Sequence, residues 1–240
     1  MDIPALQLTS RFSSAPNSLG YCGLNSAQKT FYDCLVNQQC DNVPHEVLHF
    51  KGLYPYLSTI AEVTNKHFLD YEVVEAYWLG NDLLAKFKPE HYEILLKHLA
   101  AEQLPEFFIT ELRQRPPRTF IPLHIFNVIH VGVGRITGSV PFNLDSINNC
   151  MIRWGTVEII NHDQETANII LHSLKSSQPN QYAVDLQPST ITFTPEFHPN
   201  LKTGDIVAAH WGQLVKILTI QEQQHLQFWT EKILTDIINL

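Results

Sequence analysis

The sequence predicts an α+β fold: a helical N-terminal domain over residues 1–140, then a small β-barrel with a C-terminal amphipathic helix over residues 141–240. Three observations carry this expectation. Apolar residues recur at helical spacing through the first half, short β-branched runs separated by turn residues dominate from Met151 onward, and helical spacing returns after Thr219.

Taking the elements in order, Ala27, Phe31, Cys34 and Leu35 share one helical face behind the cap candidates Asn25 and Ser26. Pro44 at a helix start, followed by Val47, Leu48, Tyr54, Leu57 and Ile60, predicts a second helix. Asp70 caps a third that runs through Val74, Trp78 and Leu84. A fourth begins near Pro89 with Tyr92, Leu95, Leu96 and Leu99 on one side, and Pro105 opens a shorter one that Pro116 and Pro117 end. The apolar segment from Phe120 to Gly134 is read as helix, although its periodicity also fits a buried strand.

Residues 137–148 are the most turn-like stretch in the middle of the chain and place the domain boundary. Beyond it, Met151 to Ile160, Ala167 to Leu174, Tyr182 to Leu186, Thr190 to Phe193 and Ile206 to Leu218 are candidate strands. Turn residues at 161–163, at 178–180 and at Gly204 and Asp205 punctuate them, which suits a small, bent barrel. Thr219 and Glu222 have capping-box spacing, and Leu226, Trp229, Ile233 and Ile237 form the stripe of the closing helix, with Trp229 as its anchor.

Composition narrows the function. The 240 residues are 44% hydrophobic, and 16 Lys and Arg against 24 Asp and Glu give a formal charge of −8. No basic stripe is available to neutralise phosphates, so nucleic acid is not the expected partner. The N-terminus lacks a signal-peptide pattern and no apolar run is long enough to span a membrane, so the expected location is cytoplasmic. The cysteines at 22, 34, 40 and 150 are read as free thiols, and without a CxxC there is no zinc-ribbon pattern.

Two motifs suggest chemistry. His45, Glu46 and His49 match HExxH, in which two histidines one helical turn apart ligate zinc and the glutamate polarises bound water, with Glu72 or Glu75 as a further acidic ligand. Pro44 counts against it, because it puts His45 in the first turn of its helix. Cys22, flanked by Gly20 and Gly23 ahead of a helix, is a candidate nucleophile with His124 or His130 as its base. The plainer reading of Cys22 is a packed thiol in a glycine turn, and that of the two histidines is hydrogen-bonded core.

The string from Cys150 through Arg153, Trp154 and Gly155 to Val157 and Glu158 resembles the opening strand of the HypC/HupF hydrogenase assembly chaperones. Gly204-Asp205-Ile206-Val207-Ala208-Ala209-His210 resembles a later strand of that family, and the whole chain resembles uncharacterised bacterial proteins that join a helical domain to such a barrel. The resemblance implies a HypC-like barrel and an accessory role in nickel–iron hydrogenase maturation. It implies a chaperone rather than an enzyme, with the hydrogenase large-subunit precursor or other maturation factors as partners. It also implies that Cys150 and His210 hold a transient iron–cyanide–carbonyl unit. The family cysteine follows the initiator methionine, whereas Cys150 is internal, and Trp154 stands where the family has proline.

Overall fold

The computed structural model describes residues 2–178 and 181–238. Its first helix, α1 (Ile3–Ser18), begins at Asp2, whose carboxylate accepts hydrogen bonds from Ala5 N at 3.2 Å and, with its other oxygen, from Tyr71 N at 2.9 Å. One side chain thus satisfies orphan donors at the starts of two helices. The sequence pattern had not marked α1. Its serines, threonine and internal Pro16 blur the helical period, and only Asp2 followed by Pro4 signals a start.

Helices α2 (Ala27–Asn37), α3 (Val43–Val47), α4 (Tyr54–Thr64), α5 (Tyr71–Trp78), α6 (Tyr92–Ala101) and α7 (Glu106–Gln114) follow. The expected second helix is two: α3 stops at Val47, and residues 48–53 turn before Pro55 restarts the helix at α4. The third ends at Trp78, leaving Leu84 in a 3-10 turn over Asp82–Lys86. The apolar stretch after Phe120 forms α8 (His124–Phe126), which widens into a π-helical turn over Asn127–Gly132. The expected boundary loop contains α9 (Leu144–Cys150), nucleated by Asn143, whose side chain accepts from Ser146 N at 2.8 Å.

Cys34 and Cys40 form a disulfide, which corrects the reading of four free thiols. Asn37 ends α2, and Gln38 takes a left-handed conformation at φ 57°, which turns the chain back so that Cys40 returns to Cys34. Sequence spacing carries no trace of that reversal.

The α+β expectation holds. Strands β1 (Arg153–Asn161), β2 (Thr166–Gln178), β3 (Gln181–Thr192), β4 (Ile206–His210) and β5 (Gln213–Ile217) pair in the order β1-β2-β3-β5-β4, and β4 pairs back onto β1 to close a barrel. Two short runs expected as separate strands are one strand, β3, with Pro188 inside it. Pro188 sits opposite Ile170, and because β3 meets β5 only at Thr192, its missing N–H removes no ladder bond on that flank. The run from Ile206 to Leu218 divides at Trp211 and Gly212, both at positive φ, a two-residue hairpin turn.

Helix α10 (Ile220–Ile238) opens on the expected capping box: Glu222 N donates to Thr219 Oγ1 at 3.2 Å and Thr219 N to Glu222 Oε2 at 2.8 Å. Trp229 is its anchor, seated against Gly80, where any Cβ would lie 2.5 Å from the indole. The side chain of Ile237 and the turn residues Pro179 and Asn180 lie outside the described residues. One apolar core joins the helices to Trp154, Ala208 and Val215 of the barrel and to Leu226 and Trp229 of α10, while Val157, Ile169, Leu171 and Val207 belong to a smaller core within the barrel. No helix among the described residues is long and apolar enough to cross a membrane.

Candidate functional site

Antiparallel pairing of β1 with β4 sets Arg153 opposite Ala209, so the residues just before β1 lie beside the end of β4. That register brings Cys150, the last residue of α9, next to His210, the last residue of β4. The helical half adds His124 from the start of α8. One ligand atom from each of these three side chains lies within 4.8 Å of the other two, the only such group among the described residues. Cys150 Sγ is 3.8 Å from His124 Nε2.

Each side chain is held by a local feature. Pro16 has no N–H to give to the carbonyl of Phe12 one turn earlier in α1. His210 Nδ1 donates to that carbonyl instead, at 2.8 Å. A carbonyl can only accept, so His210 carries its proton on Nδ1 and presents a bare lone pair at Nε2, which is buried and has no hydrogen-bond partner. His124 Nδ1 lies 2.8 Å from the hydroxyl of Tyr77, which also lies 2.8 Å from the carbonyl of Gly52, and His124 Nε2 lies 2.9 Å from the carbonyl of Cys150. Trp78 packs on both histidines, with ring centroids 4.7 Å and 5.8 Å away, and stacks on Phe12 at 5.1 Å.

These groups form one end of an open pocket, which Cys22, Asn127 and Trp211 also line. No Asp, Glu, Lys or Arg is among its lining residues. Trp211 adopts φ 50°, a conformation rare for a bulky side chain, and its backbone N–H donates to Asn149 O at 2.7 Å, tying the β4–β5 turn to α9. Tyr21 packs on its indole at 4.5 Å. Cys22 sits in a loop that Asn17 Nδ2 holds by donating to the carbonyls of Cys22 and Leu24. Gly23 is required there, since it combines φ 75° with a Phe50 ring where a Cβ would be.

Burial governs the electrostatics. Desolvation pushes the Cys22 thiol up to about 11 and raises Cys150 well above the ordinary thiol range, with Cys22 itself a second cause and the nearby Trp211 indole N–H opposing it. Desolvation pulls His124 down to about 4 and His210 well below the ordinary imidazole value, the nearby His124 adding to the latter. Neutral imidazoles next to protonated thiols do not make a thiolate–imidazolium pair, the state a cysteine nucleophile uses. The same set of neutral nitrogens and a thiol suits a soft or borderline metal, which deprotonates the thiol as it binds.

The other sequence candidates fall elsewhere. His130 does not line this pocket. Its partners are others, with Tyr92 Oη 3.2 Å from its Nε2 and its ring stacked on Phe126 at 4.7 Å. His45 and His49 have ring centroids 4.9 Å apart, but α3 ends before His49, so the pair is not carried by one helix. Glu46 is buried, Glu72 pairs with Lys66 at 2.7 Å and Glu75 accepts from Asn81, which leaves the HExxH residues without an assembled acidic ligand. The sequence offers His124 as a base for Cys22 or as a hydrogen-bonded core residue, and neither reading places it beside Cys150.

No curated protein and no solved structure matches the chain. The model of DUF6390, a family of unknown function, matches residues 3–239, so the chain belongs to the DUF6390 family.

Proposed function

We propose that this protein is an accessory chaperone of nickel–iron hydrogenase maturation that acts in the cytoplasm and holds or delivers the iron–cyanide–carbonyl unit to a client subunit. The observation that carries the reading is the convergence of Cys150 and His210, the two residues that the HypC-like strings single out, at one end of a five-stranded barrel. A thiolate beside an imidazole in an uncharged pocket suits a low-spin iron with strong-field ligands. The pocket leaves room for diatomic ligands and is lined by the indole of Trp211 and the amide of Asn127 as polar contacts. The helical half supplies one wall of the site, and in this reading it recognises the hydrogenase precursor or another maturation factor.

The test is infrared spectroscopy on protein purified without oxygen from its native host. Cyanide and carbonyl bands are expected in the wild type and are expected to vanish in Cys150→Ala and His210→Ala. Wild-type protein that carries neither the bands nor a hydrogenase precursor would remove this reading.

A further inference from the structure

Three short contacts run in a chain from Gly52 O to Tyr77 Oη, from Tyr77 Oη to His124 Nδ1, and from His124 Nε2 to Cys150 O, at 2.8, 2.8 and 2.9 Å. Each needs one proton between its two heavy atoms. Tyr77 has one and a neutral His124 has one, so two protons must serve three contacts. If Tyr77 donates to Gly52, His124 must donate from Nδ1 to Tyr77, and its Nε2 then meets the Cys150 carbonyl lone pair to lone pair. On the other side of Cys150, His210 Nε2 is a second buried lone pair with no partner. If instead Tyr77 donates to His124, Nε2–H donates to the Cys150 carbonyl and the Gly52 contact goes without a proton; in the first arrangement two imidazole nitrogens, a sulfur and a carbonyl oxygen face one another.

We propose that His124, Cys150 and His210 form a three-ligand site for a late first-row divalent metal ion, of the zinc and cobalt class, with an open fourth position toward the pocket. A cation among these atoms accepts their lone pairs and leaves every proton in the chain satisfied. Tyr77 then donates to Gly52, His124 donates from Nδ1 to Tyr77, and both Nε2 lone pairs go to the metal while the Cys150 proton is released to solvent. Tetrahedral N–metal–S geometry places nitrogen and sulfur roughly 3.5 Å apart, close to the 3.8 Å between His124 and Cys150. The absence of carboxylates from the lining argues against calcium or magnesium. Tyr77 and the Phe12 carbonyl act as positioning groups that fix the histidine tautomers, as outer-shell partners do in zinc sites. His124 comes from outside the barrel, so neither half of the chain makes the site alone. The inference shares Cys150 and His210 with the function proposed above but does not depend on an iron cargo.

Metal-stripped full-length protein with the Cys34–Cys40 bridge intact and Cys150 a free thiol, titrated with cobalt(II), tests it. The expected result is one equivalent bound, with absorption of tetrahedral type and a thiolate-to-cobalt charge-transfer band that is lost in Cys150→Ser. His124→Ala and His210→Ala should abolish tight binding, Tyr77→Phe should weaken it by about 10–100-fold, and His130→Ala should bind like the wild type. Near-UV circular dichroism checks the fold of each variant, and Tyr77→Phe, which keeps its ring, carries the test if the ligand variants do not fold. Folded wild type that takes up no cobalt, or uptake indifferent to both His124→Ala and Tyr77→Phe, would overturn the site. Cobalt uptake without infrared bands in the native protein would keep this site and remove the hydrogenase reading. Bands that survive His124→Ala but not Cys150→Ala would do the reverse.

Discussion

Trp78→Ala is expected to lower stability by about 3–5 kcal/mol, the range for removing a buried tryptophan when its surroundings cannot collapse. Trp78 is 3% exposed and holds four packed groups in register: Phe12, Tyr77, His124 and His210. These come from α1, α5, α8 and β4, so no single backbone shift closes the hole. Equilibrium unfolding in urea should show a lower midpoint at an unchanged slope. Trp78→Phe, which keeps a stacking ring, should lose much less. A loss below about 1 kcal/mol for the alanine variant would show that the walls of the pocket close readily, which contradicts the geometry described here.

Acidification is expected to have an effect of similar size through two histidines remote from the pocket. His130 and His198 are buried and pulled down to about 4, first by desolvation and then by the charges of Arg115 and Arg11, although each makes a backbone hydrogen bond that opposes the shift. The unfolded chain titrates near the ordinary value of 6.5. Between pH 6.5 and about 4 the unfolded state therefore binds protons that the folded state refuses, and stability falls as pH falls through that window. Above pH 6.5 these two groups leave stability flat. The full difference corresponds to about 3 kcal/mol for each. Urea midpoints measured across the window should fall less steeply for His130→Gln and His198→Gln than for the wild type. Parallel slopes would mean that these histidines titrate normally in the folded protein.

The layout of helices followed by strands was legible because amphipathic periods are local. So was the start of α10, where Thr219 and Glu222 act on each other within one turn. What was not legible is what depends on pairing at a distance. The meeting of Cys150 and His210 came to notice only through a resemblance, because the β1–β4 register that creates it leaves no mark in either string. His124 stands out as a histidine in an apolar run, but neither a role as base for Cys22 nor a place in the core reveals that the start of α8 faces the end of α9. The Cys34–Cys40 bridge depended on one left-handed residue, Gln38, a conformation its side chain does not announce. The helix α1 was lost for the opposite reason: Pro16 announced an interruption that the fold absorbs.

That proline separates durability from use. A protein engineer idealising α1 would replace Pro16 first, since alanine restores the helical N–H and relieves the ring's pressure on the preceding turn. The restored donor would compete for the Phe12 carbonyl, and His210 would lose what holds its proton on Nδ1. The sturdier helix would then come with a histidine free to turn its ring or move its proton. Optimisation for heat resistance alone would select against the site without touching His124, Cys150 or His210.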